Sequence, residues 1–74
     1  MVIFVNQLRD NAPLLIDIRN IRECTPDEME DGGGNVVQCS LIHLYKGETW
    51  AVRQTIAGLH LLIREAYAAS RLSS

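Results

Sequence analysis

Cys39 and His43 are a pair of residues in this sequence whose types could hold a metal ion or form a nucleophile with its base. They lie four positions apart in a segment that predicts a β-strand. On one face of a strand their Cα atoms are then roughly 13 Å apart. Zinc bonds are about 2.0–2.3 Å long, so the two side chains cannot share an ion. A nucleophile pair would instead need Cys24 to meet His43 or His60 across the fold. We therefore predict no metal and no cofactor.

The segment "TPDEMEDGGGN", residues 25–35, contains Pro26, three consecutive glycines and most of the carboxylates of the first half of the chain. A phosphate-binding loop needs a helix after its glycines, whereas these lead into a predicted strand. The acids lack the spacing of a calcium loop. Carboxylates in a mobile loop cannot hold the geometry that acid–base catalysis needs, and no serine nucleophile elbow is present. We predict a mobile acidic loop at 25–35 and no enzymatic activity.

His43, Trp50 and Arg53 form the polar and aromatic cluster that is most suggestive of binding. A two-residue hairpin loop at Lys46-Gly47 would place His43 opposite Trp50, with Tyr45 on the same face. Arg53 would add a cation on which a planar or anionic ligand could stack. Core packing and a subunit interface are the alternatives for the same cluster. The predicted binding residues, which include two from the helix, are Arg53, His43, Trp50, His60 and Arg64.

The elements that must position these residues are short strands followed by one helix. β-branched and aromatic runs between turn residues are typical of strands, and Thr55 is a plausible helix N-cap. The fold class predicted for this single domain, residues 1–74, is α+β, with a small antiparallel sheet of four to five strands followed by one C-terminal amphipathic helix. The predicted strands are Val2–Leu8, Leu14–Ile18, Ile21–Cys24, Val36–Tyr45 and Thr49–Gln54.

The predicted helix has more apolar surface than one core contact needs. A broad stripe faces the core, formed by Ile56, Leu59, Leu62, Ile63 and Ala66. A second apolar stripe is typical of helices that pair between subunits, although scattered exposed apolar residues are also common. The sheet likewise looks apolar on both faces. The predicted oligomer interface consists of Leu61, Ala68, Leu72, Ile42 and Leu44.

The composition favours self-association. The chain has 74 residues, of which 47% are hydrophobic. A domain this small is only marginally stable alone and usually needs disulfides, a metal ion or a partner subunit. The net charge is −2, which does not favour nucleic-acid binding by the whole surface. The first 40 residues carry a net negative charge and the rest a net positive charge. An acidic loop followed by a helix with basic residues would account for this, and so would two oppositely charged ends that meet between subunits.

Localisation is predicted from the N-terminus and the cysteines. "MVIFV" lacks a basic leader, and the apolar runs are far too short to span a membrane. Cys24 and Cys39 read as reduced thiols, with one disulfide as the alternative. The sequence therefore predicts a cytoplasmic protein that does not associate with membranes.

Two segments, "PLLIDIRNIREC" and "LIHLYKGETWAVRQTIAGLHLLI", carry a resemblance to a known family. They resemble small flagellar-operon proteins of the FlbD type and their phage relatives, in the hairpin glycine and in the step from Val52 to Thr55 that enters the last helix. The insertion at 25–35 departs from the shorter loop of that family. The resemblance implies a related fold and a non-enzymatic role, with no catalytic residues to transfer.

The sequence thus favours an oligomeric binding or regulatory module that grips another protein, with a phage or prophage origin as its expected source. The alternative is a module that binds a small anionic ligand, such as a nucleotide, or RNA at a subunit interface. RNA-binding proteins of this size usually carry a stronger basic face.

Overall fold

The computed structural model describes residues 1–72, and for Leu72 only its place in the helix. Residues 1–72 form five strands and one α-helix, with a turn of 3-10 helix at Ile18–Asn20. The fold is α+β as predicted, but the strands form two small antiparallel sheets, β1–β2 and β3–β4–β5, instead of one. The elements are β1 (Val2–Asn6), β2 (Pro13–Asp17), β3 (Ile21–Glu30), β4 (Val36–Leu44), β5 (Thr49–Val52) and α1 (Ile56–Leu72).

β1 and β2 form the first hairpin, in which alternate residues point to opposite faces. Ile3 lies opposite Ile16, and Phe4 lies opposite Leu15. The two isoleucines are buried, whereas Phe4 and Leu15 are exposed. Asn11 adopts a φ of 59° in the turn, a left-handed conformation that Asn tolerates better than most residues.

The predicted first strand, residues 2–8, is one extended run that changes its partner. After pairing with β2, the chain forms an antiparallel bridge from Gln7 to Val52 of β5. The backbone N–H of Leu8 donates to the carbonyl of Ala51 at 3.0 Å. This run therefore ties the two sheets together.

The prediction of a loop at 25–35 is wrong for its first half. β3 continues through Glu30 and pairs with β4, with Thr25 opposite Leu41 and Glu30 opposite Val36. Pro26 is tolerated because β3 is an edge strand, where a missing N–H need not break a ladder. Asp27, Glu28 and Glu30 are exposed on this strand. The many carboxylates of the segment therefore belong to a strand that faces solvent and not to a loop.

The tip of this hairpin, residues 31–35, is organised by Asp31. Its Oδ1 accepts hydrogen bonds from the backbone N–H groups of Gly33 at 2.8 Å and Asn35 at 3.1 Å. Gly32 packs against the β1–β2 turn, where a Cβ would lie 2.0 Å from the carbonyl oxygen of Arg9. Glycine is required at this position by close approach of two backbones. The predicted mobility of the tip stays a prediction.

The register predicted for the β4–β5 hairpin is wrong by one residue. His43 pairs with Thr49, and Trp50 pairs with Ile42. The N–H of Leu44 donates to the carbonyl of Glu48 at 2.8 Å, so the loop has three residues, 45–47, and not two. Gly47 has a φ of 98°, the left-handed position that a three-residue hairpin loop requires.

α1 begins where the sequence predicted. The Thr55 hydroxyl accepts a hydrogen bond from the N–H of Gly58 at 3.2 Å, and the Thr55 carbonyl accepts one from Leu59 at 2.8 Å. This is the geometry of an N-cap. Leu59 is buried, and the predicted core residues Leu62, Ile63 and Ala66 pack against the core more loosely. No helix in residues 1–72 is long and apolar enough to cross a membrane.

The core lies between the two sheets and the helix. Its buried residues are Ile3, Val5, Ile16, Ile18, Ile42, Val52 and Leu59. Ile42 is fully buried, so its prediction as an interface residue is wrong. Leu44 is half-buried against the same core, which leaves little of it for a second subunit. The sequence could not assign Ile42 and Leu44 to the core, because the residues on both faces of the predicted sheet are similarly apolar.

Candidate functional site

His43 is held between two threonines from the neighbouring strands. Its Nε2 lies 2.9 Å from the Thr25 hydroxyl, and its Nδ1 lies 3.2 Å from the Thr49 hydroxyl. Both ring nitrogens therefore have partners, and the ring spans all three strands of the sheet. This arrangement stabilises strand pairing. To act as a proton acceptor or as a metal ligand, His43 would have to give up one of these two hydrogen bonds. Because His43 pairs with Thr49 and Trp50 pairs with Ile42, His43 and Trp50 lie on opposite faces of the sheet.

Trp50 belongs to the other face of the sheet. It is half-buried and packs against the core, opposite Ile42. Tyr45 lies in the hairpin loop and is 70% exposed. The predicted aromatic cluster of His43, Trp50 and Tyr45 does not form, because neighbouring positions of a strand face opposite sides.

Arg53 is half-buried at the end of β5. Its backbone N–H donates to the Asn6 carbonyl at 2.8 Å. Its Nε is buried and has no partner among the described residues. The pKa of Asp31 is lowered, mainly by hydrogen bonds from the backbone of Asn35 and Gly33 and further by the positive charge of Arg53. The charge of Arg53 is thus close enough to the hairpin tip to act on Asp31.

The predicted helical residues lie on the solvent side of α1. His60, Arg64 and Ala68 are exposed, and Leu61 is 54% exposed. The side chain of Leu72 lies outside the described residues. The solvent side of α1 therefore carries His60 and Arg64 together with two large exposed hydrophobic side chains, Leu61 and Tyr67, of which Tyr67 is 46% exposed. The role predicted for these residues stays a prediction.

The two thiols lie apart. Cys24 pairs with Ile42, and Cys39 pairs with Asp27, so they occupy strand positions that face opposite sides. Both are free. Burial raises the pKa of each thiol, and the negative charge of Asp27 raises that of Cys39 further. A raised pKa disfavours the thiolate, which is the reactive form. No three His, Cys, Asp or Glu side chains within residues 1–72 are placed to share a metal ion.

Two cavities adjoin β3–β4–β5, and carboxylates are among the residues that line each of them. One, of about 700 Å³, lies between the start of α1 and the middle of β3–β4, where Asp27 and Glu28 line it. The other, of about 710 Å³, lies between the β1–β2 turn and the tip of β3–β4, where Glu30 and Asp31 outnumber Arg9. Trp50 lines the second cavity. Excess negative charge disfavours an anionic ligand in either one.

The outward face of the first hairpin was not singled out from the sequence. Phe4 is 68% exposed, its cross-strand neighbour Leu15 is 54% exposed, and Val2 on the same face is 48% exposed. We call these three residues the outer β1–β2 surface. The signal was present, because "VIFV" and "PLLI" are apolar at every position while an antiparallel hairpin with one buried face should alternate. Asp17 and Arg19, which form an ion pair of 2.9 Å, lie at its rim.

Comparisons of the chain with family models, with curated proteins and with solved structures give no match. The resemblance to FlbD-type proteins therefore stays a prediction.

Proposed function

We propose that this chain is a non-enzymatic, oligomeric module that binds another protein through the outer β1–β2 surface. The observation that carries the proposal is the exposure of Phe4 directly opposite exposed Leu15. Contiguous apolar residues on a surface mark sites of interaction with other proteins. Aromatic side chains such as that of Phe4 are enriched at protein–protein interfaces.

These residues have no evident role in folding the chain. Ile3, Val5 and Ile16, on the other face of the same hairpin, supply its contribution to the core. Burying a Phe or Leu side chain contributes about 1.5–3 kcal/mol, so Phe4 and Leu15 together could supply the central part of a binding energy. The ion pair of Asp17 and Arg19 gives the surface a polar rim, as protein interfaces commonly have.

The alternative, a module that binds a small anionic ligand or RNA, has less support. Neither cavity is lined by Arg53 or Arg64, and the charged residues that line the two cavities are mainly carboxylates. The expected cytoplasmic location and phage or prophage origin remain part of the proposal.

The test compares two exposed aromatic residues on different surfaces. Wild type, Phe4→Ser and Tyr45→Ser are immobilised, and proteins from cells that express the chain are passed over them. Phe4 and Tyr45 are 68% and 70% exposed, so both changes should leave folding intact. We expect a partner retained by wild type and by Tyr45→Ser but lost with Phe4→Ser. The partner is then purified and its affinity for all three proteins is measured by calorimetry.

Equal affinity of the purified partner for wild type and Phe4→Ser would overturn the proposed surface. Loss of binding with Tyr45→Ser and not with Phe4→Ser would move the binding site to the β4–β5 loop.

A further inference from the structure

β2 is an edge strand with unused hydrogen-bonding groups. In the ladder with β1, the carbonyl of Ala12 accepts from Gln7 at 2.9 Å, and the N–H of Ile18 donates to Met1 at 3.0 Å. Successive residues of a strand direct their backbone groups to opposite edges. Positions 12, 14, 16 and 18 therefore face β1. Positions 13, 15 and 17 face away from it, and within residues 1–72 no strand pairs with β2 on that side.

We propose that β2 pairs with β2 of a second copy of this chain, antiparallel and about a two-fold axis at Leu15. The inference deepens the oligomeric part of the proposed function by naming the partner and the surface. Leu15 of each copy then donates its N–H to, and accepts at its carbonyl from, Leu15 of the other. The contact is isologous, so it closes at two subunits and does not propagate.

The ends of the strand fit this register. Two-fold pairing at Leu15 places Pro13 of one copy opposite Asp17 of the other. Pro13 has no N–H to donate, but its outward carbonyl can accept from the N–H of Asp17. The two Asp17 carboxylates lie at opposite ends of the paired strands and so do not face one another. Four hydrogen bonds are thereby available, two at Leu15 and one at each end.

Charges beyond the strand ends are complementary. The β1–β2 turn that precedes β2 carries Asp10, and the 3-10 turn that follows β2 carries Arg19. Antiparallel pairing brings the turn of one copy to the side of the 3-10 turn of the other. Asp10 and Arg19 are both exposed, and each dimer would contain this juxtaposition twice. Arg19 keeps its ion pair with Asp17 of its own chain, and the exposed Arg9 adjoins Asp10 in the turn.

The other strand edges are less suited to pairing. β3 carries Pro26 and several carboxylates, and proline and charge are the devices by which edge strands avoid association. On the second edge of β1, the Asn6 N–H donates to the Gln54 side chain at 3.0 Å and its carbonyl accepts from Arg53 at 2.8 Å. That leaves only Val2 and Phe4 on that edge. β2 has one proline, at its first position, and one carboxylate, Asp17, at its last, so its outward positions 13, 15 and 17 are less protected against pairing than the β3 edge.

Edge pairing leaves the outer β1–β2 surface uncovered and doubles it. Leu15 of each copy lies beside Leu15 of the other, with Phe4 outside each, so the order across the dimer is Phe4, Leu15, Leu15, Phe4. A partner protein would meet a four-stranded apolar face with two-fold symmetry. This explains why apolar residues of a small chain are placed on an open hairpin.

The test measures molecular mass by light scattering over a range of protein concentrations, with no other protein present. Wild type should have twice the 8.3 kDa of one chain. Leu15→Lys places two positive charges directly opposite each other at the axis, which disfavours pairing. Leu61→Lys is the matched control, because both leucines are 54% exposed. We expect Leu15→Lys to be monomeric and Leu61→Lys to remain a dimer.

A second pair of variants isolates the backbone contribution. Leu15→Pro and Leu15→Thr both remove the leucine, but only proline removes the outward N–H. Proline is accepted in an edge strand when its N–H would face solvent. Leu15→Pro should weaken the dimer by about tenfold or more relative to Leu15→Thr, because two symmetric hydrogen bonds are lost. Circular dichroism checks that each variant is folded.

A monomeric wild type overturns the inference. So does a dimer that survives Leu15→Lys, and a dimer lost with Leu61→Lys alone would place the interface on α1. If instead the dimer behaves as expected and Phe4→Ser retains every partner, the dimer stands and the proposed partner-binding surface fails.

Discussion

Trp50 and Tyr45 are aromatic residues of one hairpin in opposite environments. Trp50 packs against the core, whereas Tyr45 is 70% exposed in the loop. The register of the β4–β5 hairpin sets these environments, because it places Trp50 beside Ile42 on the face that packs on the core. A side chain that fills space in so small a core carries a large share of its packing.

Trp50→Ala should therefore destabilise the chain by about 3 kcal/mol, at the low end of the range for aromatic core residues because Trp50 is only partly buried. Tyr45→Ala, the control, should change stability by no more than about 0.5 kcal/mol. Urea unfolding followed by circular dichroism measures both. Equal stability of the two variants would show that Trp50 is free for binding.

Asp17 is the carboxylate with the clearest pH dependence. Hydrogen bonds from the Arg19 side chain and backbone lower the pKa of Asp17 from 3.8 to about 2. A carboxyl group whose pKa is lowered on folding stabilises the fold when it is ionised. This contribution is present above the unfolded pKa and is lost as the pH falls from about 4 to about 2.

Asp17→Asn should be less stable than wild type at neutral pH, and the difference should shrink as the pH is lowered through that window. Urea midpoints measured at several pH values test this. Glu48→Gln, an exposed change that directly follows the β4–β5 loop, is the control and should follow wild type. A difference between Asp17→Asn and wild type that stays constant down to pH 2 would contradict the assignment.

At the scale of elements, the β3–β4 hairpin is secured at its tip by contact with the first hairpin. Gly32 lies so close to the Arg9 carbonyl that no Cβ fits, whereas a Cβ at Gly33 would lie 3.4 Å from its nearest neighbour, the Asp31 side chain. The tip is therefore joined to the β1–β2 turn by a close approach of the two backbones at Gly32 and Arg9.

Gly32→Ala should force the two turns apart and destabilise the chain by about 1–3 kcal/mol, the usual range for overpacking. Gly33→Ala is the matched control and should have a smaller effect. Thermal unfolding and hydrogen exchange of the tip amides measure both. Equal unfolding temperatures for the two variants would show that the tip is not held by the β1–β2 turn.

At the scale of the whole molecule, the chain separates a protected side from an open one. The long β3 edge carries proline and acids, and the hairpin tip is joined to the β1–β2 turn. The first hairpin, by contrast, has a free edge and an exposed apolar face. Dimerisation through that edge and partner binding on that face are compatible, since one uses backbone groups and the other uses side chains.

The sequence by itself determined the α+β class, the helix start at Thr55 and the helix side that packs on the core. These depend on local chemistry, namely hydrophobic periodicity, a capping hydroxyl and turn residues, which neighbouring positions decide. It also indicated that His60, Arg64 and Leu61 lie on the solvent side of α1, for the same reason.

Only the tertiary structure decided which strand residues share a face and which surface stays open. A loop of three residues in place of two moved His43 away from Trp50, because each step along a strand reverses the side-chain direction. Ile42 is a core residue and Phe4 is exposed, although both lie in apolar runs of the sequence. The placement of the two sheets and the helix against each other decides which face of a strand is covered. Burial of this kind is set by residues distant in sequence, and a local pattern carries no record of them.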